Sequence, residues 1–313
     1  MKKLLVCGLI LSGILFSSCE KHKEPIYIPE SFQAVSLLGD SLNIPLRNVR
    51  TDSILKANIA QAQNDFDLDN SEMNTIWLGR RHAYLSDYKK AINIFSDGIK
   101  RFPNSYKLYR HRGHRYISIR QFNKAIADYQ KAYELMPKGV EETEPDGAPN
   151  QMNIPLSNTQ FNILYHYGLA YYLSGDFEKA EEIYKECMDY SGNPDLRVAT
   201  TDWLYMTLRR LGKTEQAKRL LESIDPEMEI IENDSYLKRL SMYQGALAAE
   251  ELLQGSGDDV ALSLATQGYG LGNWYLYEGD TAKAKEIFQR VLQGSSWSAF
   301  GYIATEADFK RLN

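Results

Sequence analysis

Between Thr75 and Pro137 a pattern of residue types is repeated 34 positions later, and this period constrains the fold more than any other feature of the chain. Ala91, Phe95, Gly98 and Pro103 return as Ala125, Tyr129, Ala132 and Pro137, while Gly79, Tyr88 and Lys90 return as Gly113, Phe122 and Lys124. A period of this length belongs to arrays of helix-turn-helix units. The internal spacing agrees, because Ala125, Tyr129 and Ala132 stand at i, i+4 and i+7 and so share one face of one helix. Gly113 falls on the preceding helix, where a missing side chain would let two backbones approach. Pro137 ends the second helix, since it lacks an N–H and its ring clashes with the turn before it.

These residues resemble the tetratricopeptide repeat (TPR) family. The resemblance runs from Glu72 to Leu292 with interruptions, with clear repeats at 72–105, 106–139, 161–194 and 265–294 and a weaker stretch at 198–254. The third repeat carries Gly168, Gly175, Ala180, Tyr184 and Cys187, and the last carries Gly272, Gly279, Ala284, Phe288 and Val291. In the weaker stretch Tyr205 stands where a glycine is expected. The resemblance implies an all-α protein, a right-handed α-solenoid of antiparallel helix pairs filling residues 53–313. Such an array needs its open end covered, and the amphipathic segment 297–312 reads as the capping helix. Residues 53–66 read as a lone helix against the first repeat, and 19–52, with Pro25, Pro29 and Pro45, as a largely irregular tether.

The first 18 residues have the build of an export signal: Lys2 and Lys3, then a mostly apolar run from Leu4 to Phe16 that is too short to span a bilayer. Phe16-Ser17-Ser18-Cys19 follows, and it resembles the lipobox of bacterial lipoproteins, in which the cysteine becomes the acylated first residue. That resemblance implies a lipid anchor at Cys19 and a place in the cell envelope, at the outer membrane. Cys7 leaves with the leader, so Cys187 has no partner for an intramolecular disulfide and reads as a buried thiol. Removing Lys2 and Lys3 from the 36 basic residues leaves 34 against 41 acidic ones, a net charge of −7 that disfavours general nucleic-acid binding.

The third repeat starts late. Residues 138–160 form an inserted loop with Pro145, Gly147, Pro149 and Pro155, and with acidic Glu141, Glu142, Glu144 and Asp146. Loops of this length in compact arrays are uncommon and often functional. Ser157 and Gln160 have capping-box spacing, and Leu156 and Phe161 have staple spacing, which places the start of the next helix.

Catalytic and cofactor signatures are nearly absent. Gly268, Gly270 and Gly272 follow no strand and fit close helix packing better than a phosphate loop. His111 and His114 could share a metal, but their helix supplies no third ligand, so no metal centre is expected. There is neither a nucleophile elbow nor a Cys/His pair with family spacing. The expectation is a protein without enzymatic activity and without a cofactor.

Mapped onto the family's groove positions, the first helices of repeats one to three present Arg80 and Tyr84, then Lys107, Arg110, His111 and His114, then Asn162, Tyr165, His166 and Tyr172. The groove would be cationic at one end and aromatic at the other. The Lys and Asn with which some family members clamp a terminal carboxylate are replaced here by Arg110 and His114, and by Ile76 and Arg80. The sequence therefore points to a membrane-anchored scaffold that takes a protein or peptide, an acidic one by charge, in its concave groove. The alternative is an enzyme or small-ligand receptor built on the same Arg/His/Tyr cluster with the inserted loop. The acidic loop next to the basic helix is expected to fold over the groove.

Overall fold

The computed structural model describes residues 29–147, 150–253 and 260–313; the leader and Cys19 lie outside the described residues. Among these, thirteen α-helices dominate and two short strands are the only sheet. After α1 (Val49–Leu68) come the pairs α2 (Glu72–Tyr84) with α3 (Tyr88–Arg101), α4 (Tyr106–Ser118) with α5 (Phe122–Leu135), α6 (Thr159–Ser174) with α7 (Phe177–Met188), and α8 (Pro194–Arg210) with α9 (Thr214–Leu221). Then come α10 (Asp234–Tyr243), a 3₁₀ turn at Ala249–Leu253, the pair α11 (Val260–Tyr277) with α12 (Thr281–Leu292), and α13 (Phe300–Arg311). Consecutive helices pack on one another apart from α9 and α10, where α10 packs on α8 instead, and the first helices of successive pairs also touch, α2 on α4, α4 on α6 and α6 on α8. The array therefore curves with its first helices inside. The fold is an α-solenoid of antiparallel helix pairs.

Side-chain caps start the first helices: Ser71, Ser105, Asn158 and Asn193 accept from the backbone N–H three residues on. Each satisfies a donor that the helix leaves open. For α6 this corrects the capping box expected at Ser157 and Gln160. Asn158 is the cap, while Gln160 accepts from the Glu142 N–H at 2.9 Å and so ties the inserted loop to the helix.

One contact recurs through the array. A Cβ at Gly79 would stand 2.3 Å from the Phe95 ring, at Gly113 2.9 Å from Tyr129, at Gly168 2.8 Å from Tyr184 and at Gly272 2.5 Å from Phe288. The glycine thus admits an aromatic ring of the partner helix, not its backbone. Those four rings and the alanines Ala91, Ala125, Ala180 and Ala284 are buried. Tyr205, at the glycine position of the fourth pair, is buried by stacking on Tyr243 at 4.3 Å between ring centres, so this pair leans on α10 for its packing.

The turn inside each pair also recurs. Ser86, Arg120, Gly175, Gly212 and Gly279 hold the same position, and all have positive φ, between 63° and 95°. Glycine suits that conformation, and a side chain there carries strain. The two exceptions both hold segments from outside the repeats. Ser86 Oγ accepts from Arg47 at 2.7 Å, and Arg120 donates to Glu306 of α13 at 3.0 and 2.6 Å and to the Trp297 carbonyl at 2.7 Å.

Those segments bring the ends of the array together. The stretch read as an irregular tether is, over residues 32–43, an antiparallel hairpin of β1 (Phe32–Val35) and β2 (Ser41–Asn43). Its pattern is too short to show a period, and it is held by burial of Ala34 and Leu42, by the Leu37 N–H on Glu306 at 3.1 Å, and by the Trp297 indole N–H on the Asn43 carbonyl at 2.9 Å. Trp297 also meets Tyr88 of the first pair edge-on at 5.6 Å. Helix α13 covers α11 and α12, as a cap should, but it also reaches into the curve to touch α6. There Asp308 accepts from Arg210 at 2.9 Å and from the Tyr269 hydroxyl at 3.0 Å.

Two outcomes follow from this packing. Ala125→Trp should cost about 1–3 kcal/mol or more by overpacking the α4–α5 contact, while Lys124→Ala on the exposed face should cost little. Glu306→Ala should cost about 3–5 kcal/mol, because it strands a buried Arg120. The double change Arg120→Gly with Glu306→Gln should cost less than that single one, since no charge is stranded and the left-handed strain is relieved. Denaturant titration of the parent and these four variants measures each cost.

Candidate functional site

The residues expected in the groove do come together, but they do not line an open surface. Arg110, His111, Asn162, Tyr165, His166 and Tyr172 are buried, and Arg80, Tyr84, Lys107 and His114 are partly so. This corrects the expectation of an exposed concave face, and it has two physical causes. The inserted loop lies over α2 and α4, and α13 occupies the space in front of α6 and α8.

The loop is stitched at its base. The Glu144 N–H donates to the Ser157 carbonyl at 3.0 Å and the Thr159 N–H to the Glu142 carbonyl at 2.7 Å, a bridge that brings the two ends of the insertion side by side. Its acidic residues then divide the work. Glu142 accepts from Lys107 at 2.5 Å and from the Tyr106 hydroxyl at 2.6 Å, and these partners hold its carboxyl below the usual range against the opposing effect of burial. Glu144 pairs with Arg110 at 3.1 Å and accepts from the Asn162 amide at 3.1 Å. Glu141 only takes a long bond from Asn158 at 3.4 Å. Asp146 makes no ion pair among the described residues, and partial burial raises its carboxyl although Arg80 acts the other way. Arg80 and Arg81 hold the loop's far side through the Pro145 and Gly147 carbonyls at 2.8 and 3.2 Å. At Gly147 a Cβ would fall 1.7 Å from the Tyr84 hydroxyl, so only glycine lets the loop lie this close.

Beneath the loop is a cavity of about 130 Å³ lined by Arg80, Arg110, Arg115, His111, His114 and Glu144. The Arg110 Nη1–H donates to His111 Nδ1 at 2.8 Å, so the proton of His111 sits on Nε2, 3.9 Å from Glu144. His114 stacks near His166 at 4.5 Å, and both meet Phe300 of α13 at 5.3 and 5.4 Å. Burial first, and then the neighbouring guanidinium groups, push all three imidazoles down, His166 to about 3. They are neutral at physiological pH. Arg115 was passed over by the groove mapping, because its place in the helix is not a family groove position. No periodic signal could have shown that the loop would enclose it.

The aromatic end is a core and not a surface. The Tyr172 and Tyr269 hydroxyls are 2.6 Å apart, with Asn273 donating to Tyr172 at 2.9 Å. Tyr165 shares a 2.8 Å hydrogen bond with Tyr236 of α10. In front of it a second cavity of about 240 Å³ lies between His114, Trp203, Tyr236 and the start of α13. Cys187 is buried, and desolvation pushes its thiol up to about 12, which leaves it unreactive. Among the described residues no group of three or more His, Cys, Asp or Glu is placed to hold a metal ion.

The depressed imidazoles have a stability consequence. The pKa of His166 is lower in the folded than in the unfolded chain, so the unfolded chain takes up the proton first as the pH falls. Stability is full above about pH 6.5 and is lost progressively below it, by at most about 1.4 kcal/mol per pH unit for each such histidine. The melting temperature should therefore fall between pH 6.5 and 4.5, and His166→Gln should flatten that slope. A pH series of thermal melts measures both.

Two family models of the tetratricopeptide repeat match the chain, one over residues 106–138 and 161–194, the other over 268–293. Among the curated proteins there is no significant match. Among solved structures, a tetratricopeptide repeat protein from Parabacteroides merdae ATCC 43184 aligns over 82% of this chain and 94% of its own, with 13% identity and a TM-score of 0.50. YrrB, a TPR protein with an unusual peptide-binding site, aligns over 74% and 91% with 11% identity and a TM-score of 0.43. The Cut9–Hcn1 hetero-tetramer of the APC/C aligns over 79% of this chain and 57% of its own, with 13% identity and a TM-score of 0.37. The matched repeats coincide with the pairs α4–α5, α6–α7 and α11–α12, whose glycine and ring contacts build the array, so the chain carries tetratricopeptide repeats in these three pairs.

Proposed function

We propose that the protein is a TPR scaffold lipoprotein, anchored through Cys19 at the outer membrane, that binds an acidic segment of a partner protein on the first helices of its N-terminal repeats. TPR repeats are a protein-interaction architecture: stacked helix pairs present a long surface and leave little pre-formed space for chemistry. The observation that carries the reading is the seating of the chain's own acidic loop on that surface. Glu142 on Lys107 and Glu144 on Arg110 form an internal occupant, and a partner's acidic segment would compete for the same cations. Among the described residues no helix is long and apolar enough to cross a membrane, so retention at a membrane would rest on the acylated Cys19.

Two experiments test this. Cys19→Ala should move the protein from the membrane fraction to the soluble one, and unchanged retention would refute the anchor. Deleting 141–146 should strengthen binding of an acidic partner peptide, Arg110→Ala should weaken it, and added salt should weaken both. Binding indifferent to the loop, to Arg110 and to salt would place the interaction elsewhere.

The second reading, a receptor for a small ligand, is favoured by one observation. The Arg/His cluster surrounds a covered cavity and not an open groove.

A further inference from the structure

The loop does not neutralise what it covers. Three guanidinium groups line the cavity below it, and Glu144 is the only carboxylate in that lining. Glu144 is committed to Arg110. Asp146 approaches Arg80 from outside the lining, and Arg80 spends its other donors on the Tyr84 hydroxyl at 3.0 and 3.2 Å and on the Pro145 carbonyl. Arg115 is left over. Its side chain makes no ion pair and no hydrogen bond among the described residues, and its guanidinium only lies over the Tyr88 ring at 5.3 Å. Arg110, 7% exposed, keeps a buried Nε–H with no acceptor.

A half-buried guanidinium without a counter-charge and a buried hydrogen-bond donor without an acceptor are both costly, and native interiors hold few such donors. Both residues line the same cavity. What the cavity lacks is an acceptor-rich anion. The histidines add to this, since His111 carries its proton on Nε2 at the Glu144 side and being neutral does not crowd the site with further charge.

We propose that this cavity is a binding site for a small tetrahedral oxyanion of the phosphate type. A space of about 130 Å³ holds such an ion and excludes a sugar or a nucleotide base with its phosphates. Its four oxygens can accept from the Arg115 guanidinium and from the His111 Nε2–H in different directions, whereas a carboxylate offers two oxygens in one plane. Guanidinium forks are suited to such recognition. Glu144 is the natural competitor, because it holds Arg110 in the absence of a ligand. The proposal rests on the covered cavity and not on the protein partner: both would draw on Arg110, but the ion lies under the loop whereas the partner would replace the loop.

The test is calorimetric titration of the full chain, in low-salt buffer, with inorganic phosphate, with acetate, and with chloride at matched ionic strength. Phosphate should bind saturably, one ion per chain, and acetate should be weaker by about tenfold or more. Arg115→Met should weaken phosphate by about tenfold or more while leaving the ligand-free melting temperature unchanged or higher, since it removes an unpaired charge. Glu144→Gln should tighten phosphate several-fold by removing the competitor. A phosphate response no greater than that of chloride, acetate binding as tight as phosphate, or a response unmoved by Arg115→Met would each overturn the proposal. If Arg115→Met fails to fold, Glu144→Gln decides: tighter binding supports the site, and unchanged or weaker binding overturns it.

Discussion

An aromatic ring seated over a glycine is the contact on which this molecule depends. Phe95 over Gly79, Tyr129 over Gly113, Tyr184 over Gly168 and Phe288 over Gly272 draw the two helices of a pair together at a fixed height. The alanines one turn away leave room for the neighbouring pair. Because the same contact recurs, each pair presents the next with the same shape, and stacking follows without long-range instruction. Where the contact is missing, at Tyr205, the array changes character. Helix α9 offers no aromatic ring, and the tyrosine stacks instead on Tyr243 and recruits α10.

Stacking alone would leave an open superhelix with a free inner face. Two departures from the repeat pattern close it. At the turn position that glycine holds in later pairs, Ser86 and Arg120 accept a strained backbone and use their side chains to hold foreign segments. The Arg120–Glu306 pair is buried, and Glu306 also takes the Leu37 N–H, so one carboxylate joins the second repeat, the last helix and the N-terminal hairpin. Removing it would open the inside of the array, not just its end.

Closure changes the electrostatics of the inner face. Side chains that on an open groove would be solvated are enclosed by the loop and by α13. Burial then keeps His111, His114 and His166 neutral and turns Arg115 from an ordinary surface charge into an unpaired one. The acidic loop compensates Lys107 and Arg110 but stops short of Arg115. That mismatch between the charge the helices supply and the charge the loop returns is what gives the cavity its chemistry.

The helix pairs, their aromatic and alanine faces and the late start of the third repeat were legible in the sequence, because each is a local periodicity of residue types imposed by helix geometry. The charge on α4 and in the loop was legible for the same reason, and with it the expectation that they attract. What the sequence could not show was the outcome of contacts between residues far apart along the chain. A four-residue strand such as β1 carries no measurable period, and Arg120 looks like any exposed arginine until Glu306, 186 residues later, is brought against it. The burial of Tyr172, the enclosure of Arg115 and the replacement of an open groove by a covered cavity all follow from that closure. Only the tertiary structure decided them, because they depend on where the two ends of the array meet and not on the pattern within any one repeat.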